Sequence, residues 1–311
     1  MNIVGVDLGG TNIKAALVDE NGEISKQKTT KTFANEGTEM ICHRIIELIK
    51  ELAQNEMVKV GIGSPGSIDR ENGVIKYANN ITALNGVKLV QKIKEKTGFD
   101  AYLENDAKAA ALGEKWFGSA KHIDNFIVLT LGTGVGGGAY TEGHLIVGGH
   151  GFGGEIGHMI VDPSGPVCSC GSKGCLETFS SVTGMREWVK VFQERYPNSL
   201  VFKYSENGPV DAKAIFDAYK EGDRLATLVV RKFNWGLGIG IGSLVNIFNP
   251  DLIILSGGIS RASDIFLEEV KQVAHEHTYP SLSHSYDIII SELKEKGAIL
   301  GAASVALERT K

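Results

Sequence analysis

The stretch IVGVDLGGTNIKAALVDENGEI, residues 3–24, decides the fold, because its plan returns at residues 127–146 as IVLTLGTGVGGGAYTEGHLI. Each copy opens with a short, largely β-branched run that reads as a buried strand. Glycines then break the run, at Gly9-Gly10 in the first copy and at Gly132-Thr133-Gly134 in the second. A second apolar run follows in each, and Asn21-Gly22 or Glu142-Gly143 turns the chain back into a third strand. Asn-Gly between apolar runs is a strong hairpin signal. Two copies of a three-stranded unit, each followed by helical patterns, predict two related α/β lobes with a cleft between them, where ligands favour binding.

The first lobe is expected to cover residues 1–118, completed by a last helix within residues 297–311; the second covers 119–296. Ile41, Ile45, Ile49 and Leu52 recur at helical spacing, and Cys42 beside them reads as a small packing residue. In the second lobe, helices from about Val182 to Tyr219 surround a polar loop at Pro197 to Pro209, and a long helix runs on to Phe248. NPDLIILSGGIS, residues 249–260, gives a turn, a short strand and a glycine pair entering another helix.

With 311 residues, 42% of them hydrophobic and 22% charged, the chain can bury a large core. A net charge of -5 argues against a protein built to hold nucleic acid or an acidic membrane, since both demand concentrated positive charge. MNIVGVDLGG has no basic leader, and GLGIGIGSLVNIF, residues 236–248, is too short and glycine-rich for a bilayer span. The expected location is the cytoplasm, with no nucleic-acid or membrane partner. Structural disulfides rarely persist in that compartment.

Three glycine turns, Gly9-Gly10-Thr11, Gly132-Thr133-Gly134 and Gly257-Gly258, each follow a predicted buried strand. Without a Cβ, such a turn lets backbone N–H groups approach a phosphate closely. Gly132, Gly134 and Gly137 also fit a dinucleotide fingerprint, but that motif must open a helix, and residues 138–143 continue as strand and hairpin. A nucleoside triphosphate held by paired hairpins fits better. Asp7, at the end of the first strand, would be unfavourable beside a phosphate unless a cation lay between them, so it is assigned to orient Mg²⁺ through water. A strand-end Asp bonding a local turn is the plainer alternative.

YLENDAKAAA, residues 102–111, changes from strand to helix at Asn105-Asp106. Either residue could be an N-cap, and a carboxylate there could equally serve as general base for an alcohol. Short polar groups suited to a sugar ring occur at Asn79, Asn105, Asp106, Glu155, His158 and Glu177. If residues 154–159 are helical, Glu155 and His158 share a face. GHMIVDPSGPVCSCGSKGCLE, residues 157–177, supplies His158, Cys168, Cys170 and Cys175, a closed tetrahedral set for structural Zn²⁺. Redox chemistry, a disulfide and simple packing are the alternatives.

On these residues the chain resembles the ROK family of sugar kinases, which also includes repressors. DLGGTNIKAALVD looks like its first phosphate motif, LGTGVGGG its second, NPDLIILSGGIS its adenosine-side motif and residues 157–177 its zinc signature. The resemblance implies an actin-like (ribonuclease H-like) ATPase fold of duplicated βββ-αβ units, usually a homodimer, with a tetramer as the alternative. It implies ATP with Mg²⁺ against Asp7, Gly9, Gly10, Thr11, Asn12, Lys14, Thr133, Gly134, Gly257 and Gly258. It implies Asp106 as the base that takes a proton from a sugar hydroxyl, usually the 6-hydroxyl. Asn105 would hold neighbouring hydroxyls, with Glu155, His158 and Glu177 across the ring and Gly66 and Asn79 in sugar-facing loops. Glucose is the first choice of acceptor, ahead of N-acetylmannosamine, N-acetylglucosamine and fructose. Repressor members add a helix-turn-helix before the first phosphate motif; Asp7 stands so early here that none is expected. A non-enzymatic actin-like protein would need neither the zinc signature nor the Asn-Asp pair.

Overall fold

The structure, a computed structural model, describes residues 2–54, 56–205 and 208–310. Its chain separates into two compact units. Unit 1 is Met1–Asp124, Gly138–Gly154 and Ser291–Lys311; unit 2 is Asn125–Gly137 and Glu155–Ile290.

The first repeat forms β1 (Ile3–Leu8), β2 (Asn12–Val18) and β3 (Ile24–Lys31), followed by α1 (Thr38–Ala53). Then come β4 (Lys59–Ser64), β5 (Ser67–Asp69), β6 (Val74–Tyr77), β7 (Val87–Lys88), α2 (Leu89–Thr97), β8 (Ala101–Asn105) and α3 (Asp106–Trp116). The second repeat gives β9 (Phe126–Leu131), β10 (Val135–Thr141) and β11 (His144–Leu145). Helices α4 (Glu177–Ser180), α5 (Val182–Phe192), α6 (Leu200–Tyr204), α7 (Ala212–Lys220) and α8 (Arg224–Phe248) follow. The chain closes with β12 (Leu252–Ser256), α9 (Ser263–Glu276), β13 (Asp287–Ile290) and α10 (Gly297–Glu308).

In unit 1 the main sheet has the order β3-β2-β1-β4-β8, antiparallel across the first hairpins and parallel through β1, β4 and β8. Side chains alternate across a strand, so β1 serves two cores. Val4, Val6 and Leu8 pack with Ile41, Ile45 and Ile49 of α1, where Cys42 is buried as a packing residue. Ile3 points the other way, into a cluster with Ile299, Ala303 and Ala306 of α10. That helix lies very close to the sheet: a Cβ at Gly61 would fall on the carbonyl oxygen of Ala302. Its other side receives α3, where a Cβ at Gly301 would meet the Ala109 carbonyl oxygen at 2.6 Å. The small sheet β5-β6-β7, which no hydrophobic pattern announces, carries the loops around Gly66 and Asn79.

In unit 2 the order is β10-β9-β12-β13, with β12 parallel to both β9 and β13. The boundary between units falls inside β10, whose last residues pair with β11 in unit 1. The third strand of the second repeat is thus reduced to two residues, against eight in β3. Phe216, Phe233 and Phe266 form an aromatic core, their ring centroids 5.2–6.3 Å apart. The expected polar loop at Pro197 to Pro209 is corrected by α6, which Ser199 caps by accepting a hydrogen bond from Val201 N at 3.1 Å. Residues 206–207 of that loop lie outside the described residues. Helix α8 is apolar around much of its surface because it is buried; among the described residues no helix is long and apolar enough to cross a membrane.

Candidate functional site

Within unit 1, the glycine turn Gly9-Gly10-Thr11 joins β1 to β2, closed by a hydrogen bond from Gly9 N to Asn12 O of 3.0 Å. Asp7 stands one residue before the end of β1, on the same face as Ile3 and Gly5, and its strand partners are Lys14 and Gly63. A Cβ at Gly63 would lie 3.7 Å from the Cα of Asp106, so the strand partner of Asp7 packs directly on the start of α3. Burial pushes the Asp7 carboxyl up to about 6; nearby Lys14 opposes this and Asp106 adds to it. Two carboxylates facing one region with one exposed lysine beside them form a set whose charge a divalent cation would balance.

Asn105 is the N-cap of α3, its Oδ1 accepting from Ala107 N at 3.0 Å and Lys108 N at 3.2 Å. Its Nδ2 donates to Gly66 O at 3.1 Å, which brings two of the expected sugar-facing residues together. Gly66 has φ +91°, and a Cβ there would collide with Tyr77 O, so only glycine fits this bend. Asp106 follows the cap, exposed, with Oδ1 accepting from Ala107 N at 2.9 Å. It stands in the first turn of α3, at the positive end of the helix dipole. Asn79 opens a short 3-10 segment, Asn79–Leu84, and its neighbour Asn80 lies against the first glycine turn, 3.3 Å from where a Gly10 Cβ would be.

Within unit 2, the second and third glycine turns are neighbours, because Gly257, at φ +91°, abuts the backbone of Leu131 at the end of β9. Ser260 Oγ closes the third turn on Gly257 O at 2.7 Å, with Gly258 in open space. Thr133 is anchored through its carbonyl, which accepts from Thr183 Oγ1 at 2.8 Å. Gly134 leads into β10, as expected for a hairpin turn and not for a dinucleotide fingerprint. Glu177 lies against this turn: its Oε2 accepts from Val135 N at 3.0 Å.

His158, Cys168, Cys170 and Cys175 converge, their ligand atoms all within 4.8 Å of one another. Burial pushes the Cys175 thiol up to about 12, while a hydrogen bond from the Ser172 backbone pulls Cys170 down to about 7. Four soft or borderline donors around one point, with no other polar group needed to close the set, fit a tetrahedral ion such as Zn²⁺. The segment 154–159 is not an α-helix. It forms one 3-10 turn, Ile156–His158, with exposed Glu155 just before it and His158 N bonded to Glu155 O at 3.0 Å. Gly157, in the middle of the turn, presses on the Val135 carbonyl where any Cβ would clash.

The ROK family model, described simply as ROK family, matches residues 3–309. The chain belongs to the ROK family. It is 42% identical over 311 residues to a glucokinase of Thermotoga maritima, covering 99% of this chain and 98% of that one. A xylose repressor of Caldicellulosiruptor bescii is 30% identical, covering 98% of this chain and 78% of the repressor. Among solved structures, a ROK family glucokinase from Streptomyces griseus in complex with glucose and AMPPNP superposes with a TM-score of 0.84 at 29% identity, covering 99% of this chain and 100% of that one. ROK structures have the actin-like ATPase fold, and this mixed α/β chain shares it.

Sequence reasoning missed supports that only three dimensions bring to this ROK site. Glu104, 1% exposed, accepts from Asn105 N at 2.9 Å and pairs with Arg70 Nε at 3.3 Å. Thus a buried ion pair stands directly behind the Asn105-Asp106 junction. Its only sequence signal is a charged residue inside an otherwise apolar strand, which reads equally well as an edge position. Val135 was equally silent, although Gly157 and Glu177 both settle on its backbone.

Proposed function

We propose that the protein is an ATP-dependent glucose kinase that phosphorylates the 6-hydroxyl. The observation that carries this reading is the placement of Asp106, at the positive end of α3, beside Asp7 and the end of the sheet that bears the first glycine turn. The 42% identity to a glucokinase and the likeness to a glucose- and AMPPNP-bound glucokinase support the same acceptor and donor.

In the proposed reaction Asp106 accepts the proton of the 6-hydroxyl as that oxygen bonds to the γ-phosphorus, and the bond from phosphorus to the β,γ-bridging oxygen breaks, releasing ADP. Phosphoryl transfer asks chiefly for positioning and charge neutralisation, with a group to take the proton. Asn105 fixes the helix start beneath Asp106, and Gly66 and Asn79 belong to the loops assigned to the sugar. Glu155, His158 and Glu177 are assigned to the sugar's other side, with Glu177 also bracing the second phosphate turn. Gly9, Gly10, Thr11, Asn12, Lys14, Thr133, Gly134, Gly257 and Gly258 are assigned to the nucleotide. Mg²⁺, which supplies charge neutralisation on the phosphates, would be oriented by Asp7, and Zn²⁺ would be held by His158, Cys168, Cys170 and Cys175 as a structural brace. A cytoplasmic homodimer acting early in sugar breakdown is the biological setting we infer.

A coupled assay of ADP release over glucose, fructose, N-acetylmannosamine and N-acetylglucosamine tests the reading. Glucose should be turned over fastest, yielding a 6-phosphate. Brisk turnover of an N-acetyl sugar without glucose turnover would replace the acceptor. The repressor relative favours a second reading, a sugar-responsive regulator, and absence of turnover with every sugar would favour it over a kinase.

A further inference from the structure

The first phosphate turn is held from behind by a residue that none of the motifs contains. Thr32, immediately after β3, is fully buried. Its N–H donates to Thr11 O at 2.9 Å and its Oγ1 donates to Gly9 O at 2.6 Å. One side chain and its own backbone therefore grip both shoulders of Gly9-Gly10-Thr11. A second layer fixes Thr32 itself: its carbonyl accepts from Arg44 Nη1 of α1 at 3.2 Å, and Arg44 is in turn paired with Glu36.

We infer that Thr32 is a positioning residue for the phosphate donor, aiming the Gly10 N–H by holding the Gly9 carbonyl. The peptide unit between Gly9 and Gly10 is planar and trans, so its C=O and N–H point in opposite directions. With the Gly9 carbonyl drawn onto the buried Thr32 hydroxyl, the Gly10 N–H faces away from the protein body. That is the orientation a glycine turn needs to donate to a phosphate oxygen. Glycine supplies the close approach but no preference among its many conformers; the hydroxyl supplies the preference. This inference rests on the nucleotide reading of the turn, but not on the identity of the sugar.

The test compares Thr32→Val, which keeps the shape and removes the hydroxyl, with Thr32→Ala and Thr32→Ser. Affinity for Mg²⁺-AMPPNP is measured by calorimetry, KM for ATP and glucose by steady-state kinetics, and folding by circular dichroism. One lost buried hydrogen bond should weaken AMPPNP affinity and raise the ATP KM about five- to tenfold in the Val and Ala variants, with the glucose KM changed less than about twofold. Thr32→Ser should bind AMPPNP nearly as the wild type does. Unchanged AMPPNP affinity in Thr32→Val overturns the inference, as does a Ser variant no better than Val. Failure of both Val and Ala variants to fold also overturns it, because the hydroxyl would then serve the fold at large. If the wild type binds AMPPNP and Thr32→Val weakens it while no sugar is turned over, the positioning role stands and the kinase reading falls. A wild type that does not bind AMPPNP removes both.

Discussion

At the scale of single residues, the two carboxylates near the start of α3 have opposite surroundings. Asp106 is exposed at a helix N-terminus, whereas burial raises Asp7 to about 6. For Asp106→Asn the expected outcome is a kcat reduced about 10²-fold or more with sugar affinity, measured by calorimetry, little changed, since base catalysis supplies about 10² to 10⁴. Near-normal turnover would remove Asp106 as the base. Asp7 makes a prediction about stability. Its folded value lies above the ordinary 3.8, so between about pH 4 and 6 the folded state holds a proton that the unfolded chain has released. Stability from this group is fully present below the unfolded value and is lost as pH rises through about 6. In metal-free buffer, Asp7→Asn should therefore flatten the pH dependence of denaturant unfolding. It should also stabilise the protein at pH 8 by on the order of 2 kcal/mol. Parallel curves for variant and wild type from pH 5 to 8 would show that Asp7 is not strained by burial. That the site is anionic was readable from the sequence; that Asp7 and Asp106 lie on one face was not, because it depends on β1 and β4 pairing in parallel.

At the scale of elements, the cysteine-rich segment was legible because a tetrahedral metal set would impose its spacing locally, and His158, Cys168, Cys170 and Cys175 do converge. What it supports was not legible. Gly157 at one end packs on Val135, and Glu177 at the other accepts the Val135 N–H, so the segment begins and ends on the strand leaving the second glycine turn. Leu176 N bonds Met159 O at 2.8 Å between these ends, closing the segment into a loop. A brace of this kind should matter to both substrates. Elemental analysis should find about one zinc per chain in the wild type. Cys175→Ser, at a fully buried ligand, should lose that metal and raise KM for both glucose and ATP. A metal-free variant with wild-type KM values would reject the brace. At residues 154–159 the helix that would put Glu155 and His158 on one face is replaced by a single 3-10 turn, Ile156–His158, with Gly157 packed on the Val135 carbonyl.

At the scale of the whole chain, the repeat was visible because strands and glycine turns carry local hydrophobic signals, and it is borne out as β1-β2-β3 and β9-β10-β11. The distribution of the chain between compact units is a property of distant contacts. Unit 1 takes residues from three separate stretches, the last of which brings α10 between the main sheet and α3. Small residues make this possible: α10 reads GAILGAASVALE, and it meets β1 and β4 at Gly5 and Gly61, which lie opposite each other in register. Since α3 carries Asp106 and packs on α10, the position of the proposed base depends on how closely α10 approaches the sheet. Gly61→Ala places a methyl on the Ala302 carbonyl, and neither a β-strand backbone nor a helix backbone can move alone to admit it. Overpacking of this kind costs about 1–3 kcal/mol, sometimes more. The expected outcome is a Tm lowered by roughly 5 °C and a reduced kcat, although no residue assigned to substrate has changed. Gly297→Ala is the matched control, because a Cβ there meets Leu293 Cβ at an ordinary 3.6 Å and φ is already helical. It should leave Tm unchanged or slightly raised. Equal Tm values for the two variants would mean that α10 can shift without cost, and that its close packing does not set the position of α3.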